Sequence, residues 1–234
     1  MSGTKNRVNN ILYRPLKSGI KYDSLLPAST CEQSYLGDGN THLSMELIAD
    51  SIIQYQKQTK KLASVLQAST LKSEVENIYS FLYNHIQYKA DAADQMLRSP
   101  ACSWATRKEG IDCKSYSIFA GCILSNLNRK FYIRKVKQPG MLPDQFTHVY
   151  IIVPKDQKNG NLKKGYHVLD ATKHSNTEVR YLETKDVSMK HIGLKSPEIG
   201  CDRSPVSDEA KKGFYSFLDT LLKMGVQPKL IAEA

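Results

Sequence analysis

Gly110-Ile-Asp-Cys-Lys-Ser-Tyr-Ser-Ile-Phe-Ala-Gly-Cys-Ile-Leu-Ser-Asn-Leu127 is the stretch on which the reading of this chain turns. It reads as a helix with a defined beginning. Gly110 suits a turn, and Asp112 is a good N-cap because its carboxylate can take an orphan amide of the first turn. Cys113, Tyr116, Ala120, Ile123, Leu124 and Leu127 recur at three- and four-residue steps, which predicts one apolar stripe. Cys113 therefore stands directly after the cap. Unpaired amides and the partial positive charge of a helix N-terminus favour a thiolate there. The same amides can stabilise an oxyanion during acyl transfer. Cys122 lies about half a turn round the 3.6-residue period and is expected in the core.

Three strand-like runs follow. Phe131 to Lys137 mixes aromatic and β-branched residues with bases, Phe146 to Val153 is apolar on both faces, and Tyr166 to Ala171 is the third. Asn159-Gly160 marks a turn between the last two. A helix followed by consecutive strands predicts an α+β fold with an antiparallel sheet. A nucleophilic cysteine needs a base, and the base an orienting group. His148 lies within the second run and Asp170 ends the third. If those strands pair, Asp170 stands beside His148 and the helix start brings Cys113 to the other side of the ring. His167 is the competing base, but the period-two alternation turns it away from Asp170. His42, His85, His174 and His191 have no comparable setting and read as surface or incidental.

This order of residues resembles the transglutaminase-like, papain-related superfamily of cysteine peptidases and transglutaminases. The resemblance rests on Gly110-Ile-Asp-Cys113-Lys-Ser-Tyr-Ser, on Phe146-Thr-His148-Val-Tyr and on Val168-Leu-Asp170-Ala-Thr, and covers about residues 70 to 185. Arg98-Ser-Pro, Trp104 and Gly110-x-Asp-Cys113 together resemble a bacteriophage-type subgroup. The resemblance implies a papain/transglutaminase-like core, with the nucleophile's helix packed on an antiparallel sheet and flanked by further helices. It maps the nucleophile onto Cys113, the base onto His148 and the orienting acid onto Asp170. An upstream aromatic or amide donates to the oxyanion in parts of the family. Trp104, the only tryptophan, is a candidate for that role or for core packing, and Gln95 is the nearest counterpart of a papain-type glutamine. The implied chemistry is cysteine-dependent acyl transfer on an amide bond. Peptide or isopeptide hydrolysis is favoured over transamidation. The alternative is a structural virion or assembly protein on the same fold, with activity lost or limited to maturation.

Outward from the core, residues 1–42 read as an extended N-terminal arm punctuated by Pro15, Gly19, Pro27, Gly37 and Gly39. Residues 43–206 form the α+β domain, opening on a helix pair at 44–67 and 71–86. Residues 88–112 are mixed. Residues 172–206 hold few clear elements, with one candidate strand near Val179 to Leu182. Residues 207–234 carry a C-terminal helix at 207–223 packed on the domain.

The 234 residues are enough for a substantial core. Apolar residues make up 41% and charged residues 24%, which excludes wholesale disorder. No run approaches the roughly 20 apolar residues of a membrane span, and the polar start lacks a signal-peptide core. No membrane partner is expected. Lys and Arg number 33 against 23 Asp and Glu, a net charge of +10. The stretch Asn128-Arg-Lys-Phe-Tyr-Ile-Arg-Lys-Val-Lys137 has five bases and no acid; it reads as an edge strand guarded by charge rather than a nucleic-acid site. The partner expected is a protein or peptide substrate, or a viral or other assembly partner. The five cysteines are irregularly spaced, without a zinc pattern, so free thiols and a reducing, cytoplasmic setting are expected, or a virion if phage-encoded. No cofactor, metal or calcium loop is expected.

Overall fold

The computed structural model describes residues 2–38, 41–91, 95–139, 145–189 and 229–233. In chain order the elements are α1 (Ser2–Leu12), β1 (Gln33–Asp38), α2 (Thr41–Tyr55), α3 (Lys60–Leu66), α4 (Leu71–His85), β2 (Gln95–Arg98), α5 (Pro100–Ala105), α6 (Cys113–Asn126), β3 (Tyr132–Lys137), β4 (His148–Asp156), β5 (Asn161–Leu169), β6 (Glu183–Ser188) and β7 (Lys229–Glu233). Short 3-10 turns occupy Ile20–Leu25 and Gln56–Thr59. The fold is mixed α+β, built on a four-stranded antiparallel sheet and several helices.

The larger sheet runs β5-β4-β3-β6, antiparallel throughout. Alternation along its strands sends Ile133, Val149, Ile151, Val153 and Leu169 into the main core, against Phe119, Ala120 and Ile123 of α6. The other face carries Val136, Tyr150 and Ile152, with Tyr166 and Val179 packed on them. Asn159-Gly160 turns the β4–β5 hairpin: Gly160 has φ +75° and its amide donates to the carbonyl of Asp156 at 2.7 Å.

The helix α6 is more buried than one apolar stripe requires. Every residue from Lys114 to Leu124 is buried, because α2, α3, α4 and α5 surround the sides that the sheet leaves open. Gly121 permits the approach of α2, since a Cβ there would lie 2.4 Å from Cδ1 of Ile52. Asp112 caps the helix by accepting from the amide of Ser115 at 3.1 Å. Gly110 supports the preceding turn at φ +98°, where an L side chain is strained.

Several expectations need correction. The 44–67 helix is two helices split by a 3-10 turn. The mixed stretch holds β2 and α5, and the late strand falls at Glu183–Ser188 rather than at Val179 to Leu182. The strand β3 is internal, not an edge, because β6 pairs along its length. The N-terminal segment is helical at Ser2–Leu12 and contributes β1. Residues 229–233, expected to follow a helix, form β7 between β1 and β2. The helix expected at 207–223 lies outside the described residues. Arg129 and buried Glu74 form a two-contact ion pair, at 2.6 and 3.0 Å, tying α4 to the α6–β3 connection.

Free thiols hold only in part. Cys31 and Cys102 form a disulfide, whereas Cys113 and Cys122 are free. Such bonds persist in oxidising surroundings, so the free-thiol expectation is corrected at these two positions. Cys201 lies outside the described residues.

Candidate active site

The site is built where α6 begins and β4 begins. Cys113 heads the helix after its Asp112 cap, and His148 heads the strand. Antiparallel pairing of Ile151 with Leu169 carries the chain to Asp170, one residue beyond β5. The register places Asp170 on the same sheet face as His148 and diagonal to it, a separation that side chains span. Nε2 of His148 lies 2.9 Å from Oδ2 of Asp170. With the Nε2 proton directed at the carboxylate, Nδ1 is left as the basic nitrogen. Cys113 and His148 line one pocket of about 110 Å³, together with Gln95, Lys114, Lys135, Phe146 and Thr147.

Asp170 is 1% exposed. Its Oδ1 accepts from the amide of Thr172 at 3.2 Å and from the Thr172 hydroxyl at 2.6 Å. Asp-x-Thr is thus an Asx-type turn that fills the other carboxylate oxygen. Burial raises the Asp170 carboxyl, but the charge and hydrogen bond of His148, the Thr172 bond and Lys173 outweigh it. The carboxyl lies below its ordinary value and stays ionised, as an orienting acid requires. The His148 ring stacks on Tyr150, centroids 5.4 Å apart. Tyr150 and Tyr166 both donate to Glu178, the latter at 2.6 Å, so the face beneath the imidazole is held by a polar network.

The thiol departs from the expectation of a lowered pKa. Burial pushes Cys113 up to about 12, aided by the nearby carboxylates of Asp91 and Asp170; backbone hydrogen bonds from Val149 and from its own amide pull the other way. The helix terminus is outweighed because a charge leaving water costs more than a partial dipole returns. At rest Cys113 is a neutral thiol.

Behind Cys113, Lys114 is buried between two carboxylates. It pairs with Asp91 at 3.1 Å and with Asp112, and donates to Oε1 of Gln95 at 2.9 Å. These bonds fix the Gln95 amide at the pocket wall. Trp104 is elsewhere: its indole N–H donates to Oδ1 of Asp23 at 2.9 Å, its ring stacks on Phe81 and Arg107 lies over it. Of the two roles open to Trp104, these contacts give it core packing.

His167, His85 and His174 are apart from the site, and His191 lies outside the described residues. His167 is lowered by burial and by Lys155 and Lys72. His85 is buried rather than surface, with Nδ1 3.0 Å from the carbonyl of Lys17. His174 bridges Tyr83 and the carbonyl of Ile11. The sequence reading missed Lys114, Thr172 and Arg14; only Thr172, in its Asp-x-Thr turn pattern, carried a local signal. Among the described residues, no three His, Cys, Asp or Glu side chains converge as a metal set, and no helix is long and apolar enough to cross a membrane. Neither family models nor characterised proteins nor solved structures show a match to this chain.

Proposed function

We propose that this chain is a transglutaminase-like cysteine enzyme with a papain-like core, which breaks amide bonds through Cys113, His148 and Asp170. The observation that carries the reading is the His148–Asp170 bond of 2.9 Å, made by the histidine that shares a pocket with Cys113. Nδ1 of His148 takes the thiol proton as Sγ attacks the carbonyl carbon, so a neutral thiol at rest suffices. The oxyanion that forms is met by amides of the α6 start and by the Gln95 side chain. Collapse expels the amine, which leaves with the proton from His148, and a thioester remains. His148 then takes a proton from water, whose oxygen displaces the sulfur, giving a carboxylate and the free enzyme. An amine in place of water gives transamidation. Hydrolysis of peptide or isopeptide bonds is the favoured outcome.

The test is cleavage of quenched fluorescent peptide and isopeptide libraries, with dansylcadaverine incorporation followed in parallel. Wild-type turnover that Cys113→Ser abolishes supports the reading, and the ratio of the two products separates hydrolysis from cross-linking. No turnover by either route, with intact folding, overturns it.

The small pocket and the thiol raised to about 12 favour a second reading. It is a structural virion or assembly protein on this fold, with activity lost or confined to maturation. It predicts that assembly survives Cys113→Ser.

A further inference from the structure

The basic strand has an exception to its pairing. Arg129 is held by Glu74, Arg134 by Asp186 at 2.7 Å on two nitrogens, and Lys137 by Glu183 at 2.6 Å; Lys130 donates to the carbonyl of Lys158. The ammonium of Lys135, between them, makes no ion pair or hydrogen bond among the described residues, although the residue is only 7% exposed. It lines the pocket of Cys113 and His148. Its register partner on β6 is a second cation, Lys185. Like charges placed directly opposite across a ladder destabilise it, so the pair stands in want of an anion. Both ammoniums, with that of Lys137, gather round the ring of Phe146, at 4.6, 5.6 and 5.3 Å from its centroid for Lys135, Lys185 and Lys137. The ring's negative face offsets part of this charge and orients the lysines. Among the described residues, Glu183, engaged by Lys137, is the acid that acts on Lys135; Lys114, across the pocket, is already satisfied by Asp91 and Asp112. Burial and Lys185 together lower the Lys135 pKa, the mark of a cation short of a counter-charge.

We propose that Lys135 and Lys185, seated on Phe146, form an anion subsite beside Cys113, and that the substrate carries a carboxylate next to the scissile amide. The proposal rests on the amide-cleaving reading of the pocket: the anion of a peptide substrate is a carboxylate. It comes either from an Asp or Glu side chain or from the chain's own C-terminus. The carboxylate enters beside Lys135, whose ammonium has no acidic partner among the described residues, and supplies a counter-charge.

The first measurement compares two probes of one thiol, anionic iodoacetate and neutral iodoacetamide, at pH 7, with Cys113 alkylation read by mass spectrometry. Both react with the same thiolate, so the ratio of their rate constants is independent of the thiol pKa and reports the local field on the incoming group. The expected ratio falls at least fivefold in Lys135→Met, and severalfold in Lys185→Met, whose exposed position guards against a folding defect. An unchanged ratio in both variants overturns the subsite. The second measurement pairs peptides that differ only in one group: an acidic residue beside the scissile bond with an amidated end, or a neutral residue with a free C-terminal carboxylate. Preference of at least tenfold in kcat/KM for one of them over the neutral, amidated peptide, lost in Lys135→Met, supports the proposal and names the source. Equal cleavage of all three overturns it. If no peptide is cleaved but the alkylation ratio still falls, the hydrolytic reading fails and the anion subsite stands.

Discussion

Arg14 donates to the carbonyl of Thr172 at 3.0 Å, and Thr172 is the residue whose amide and hydroxyl hold the Asp170 carboxylate. The same guanidinium donates to the carbonyls of Ala171 at 2.8 Å and Ile86 at 3.1 Å, and to the Tyr116 hydroxyl. Tyr116 lies one turn beyond Cys113 on α6. One side chain of the N-terminal segment, 2% exposed, thus joins the Asp170 turn, the end of α4 and the helix that Cys113 heads. Arg14→Met removes this donor from the Thr172 and Ala171 carbonyls, while Ile86 keeps the Tyr116 hydroxyl at 2.6 Å. An unsatisfied buried group costs about 1–3 kcal/mol, so urea denaturation should show a loss of about 3 kcal/mol. Arg14→Lys should recover part of it, and kcat should fall in Met more than in Lys.

Asp170→Asn keeps the shape of the side chain and removes its charge. Turnover should fall about 10²–10⁴-fold, the range of general acid–base contributions. Asp170 also contributes to stability with a defined sign. Its folded pKa lies below the ordinary 3.8, so the contribution is complete above that value and is lost as pH falls through the lower, folded one. Acid denaturation of wild type and Asp170→Asn should differ in slope only in that window.

A thiol at about 12 sets the form of the alkylation profile. The iodoacetamide rate at Cys113 should keep rising through pH 10. A preformed thiolate–imidazolium pair would instead plateau below the free-thiol value of about 8.5. The neutral thiol also stabilises the fold below its ordinary value of 9.0. That stability declines as pH rises from there toward 12, because the unfolded chain loses the proton first.

The Cys31–Cys102 bond closes a separation of 71 residues. Chain entropy alone predicts stabilisation of about 4 kcal/mol for such a loop. Equilibrium unfolding with and without reductant, or of the Cys31→Ser, Cys102→Ser double variant, should show a loss of about 2–4 kcal/mol.

Local chemistry wrote part of this structure plainly. The α6 start was legible because a cap carboxylate, a turn glycine and a helical repeat agree within a few residues of Cys113. The β4–β5 hairpin was legible because Asn159-Gly160 meets a local φ requirement. His148 and Asp170 stood out as candidates because strand alternation puts them on one face once those strands pair.

What sequence pattern left open is set by distant partners. β3 looked like a charged edge because charge says nothing about the strand beside it; Arg134 finds Asp186, 52 positions away, and becomes internal. Trp104 offered an indole N–H to either role, and Asp23 took it from 81 positions away. The thiol's pKa depended on burial and on Asp91 and Asp170, whose sum outweighs the helix dipole that the sequence displays. So the amino-acid sequence by itself determined the α6 start, the β4–β5 hairpin and the types of group at Cys113, His148 and Asp170, since caps, turns and alternation act over a few residues. Only the tertiary structure decided which charges are paired, which thiols are free and what ionisation state the nucleophile holds, because desolvation and Coulomb terms depend on neighbours that chain order does not specify.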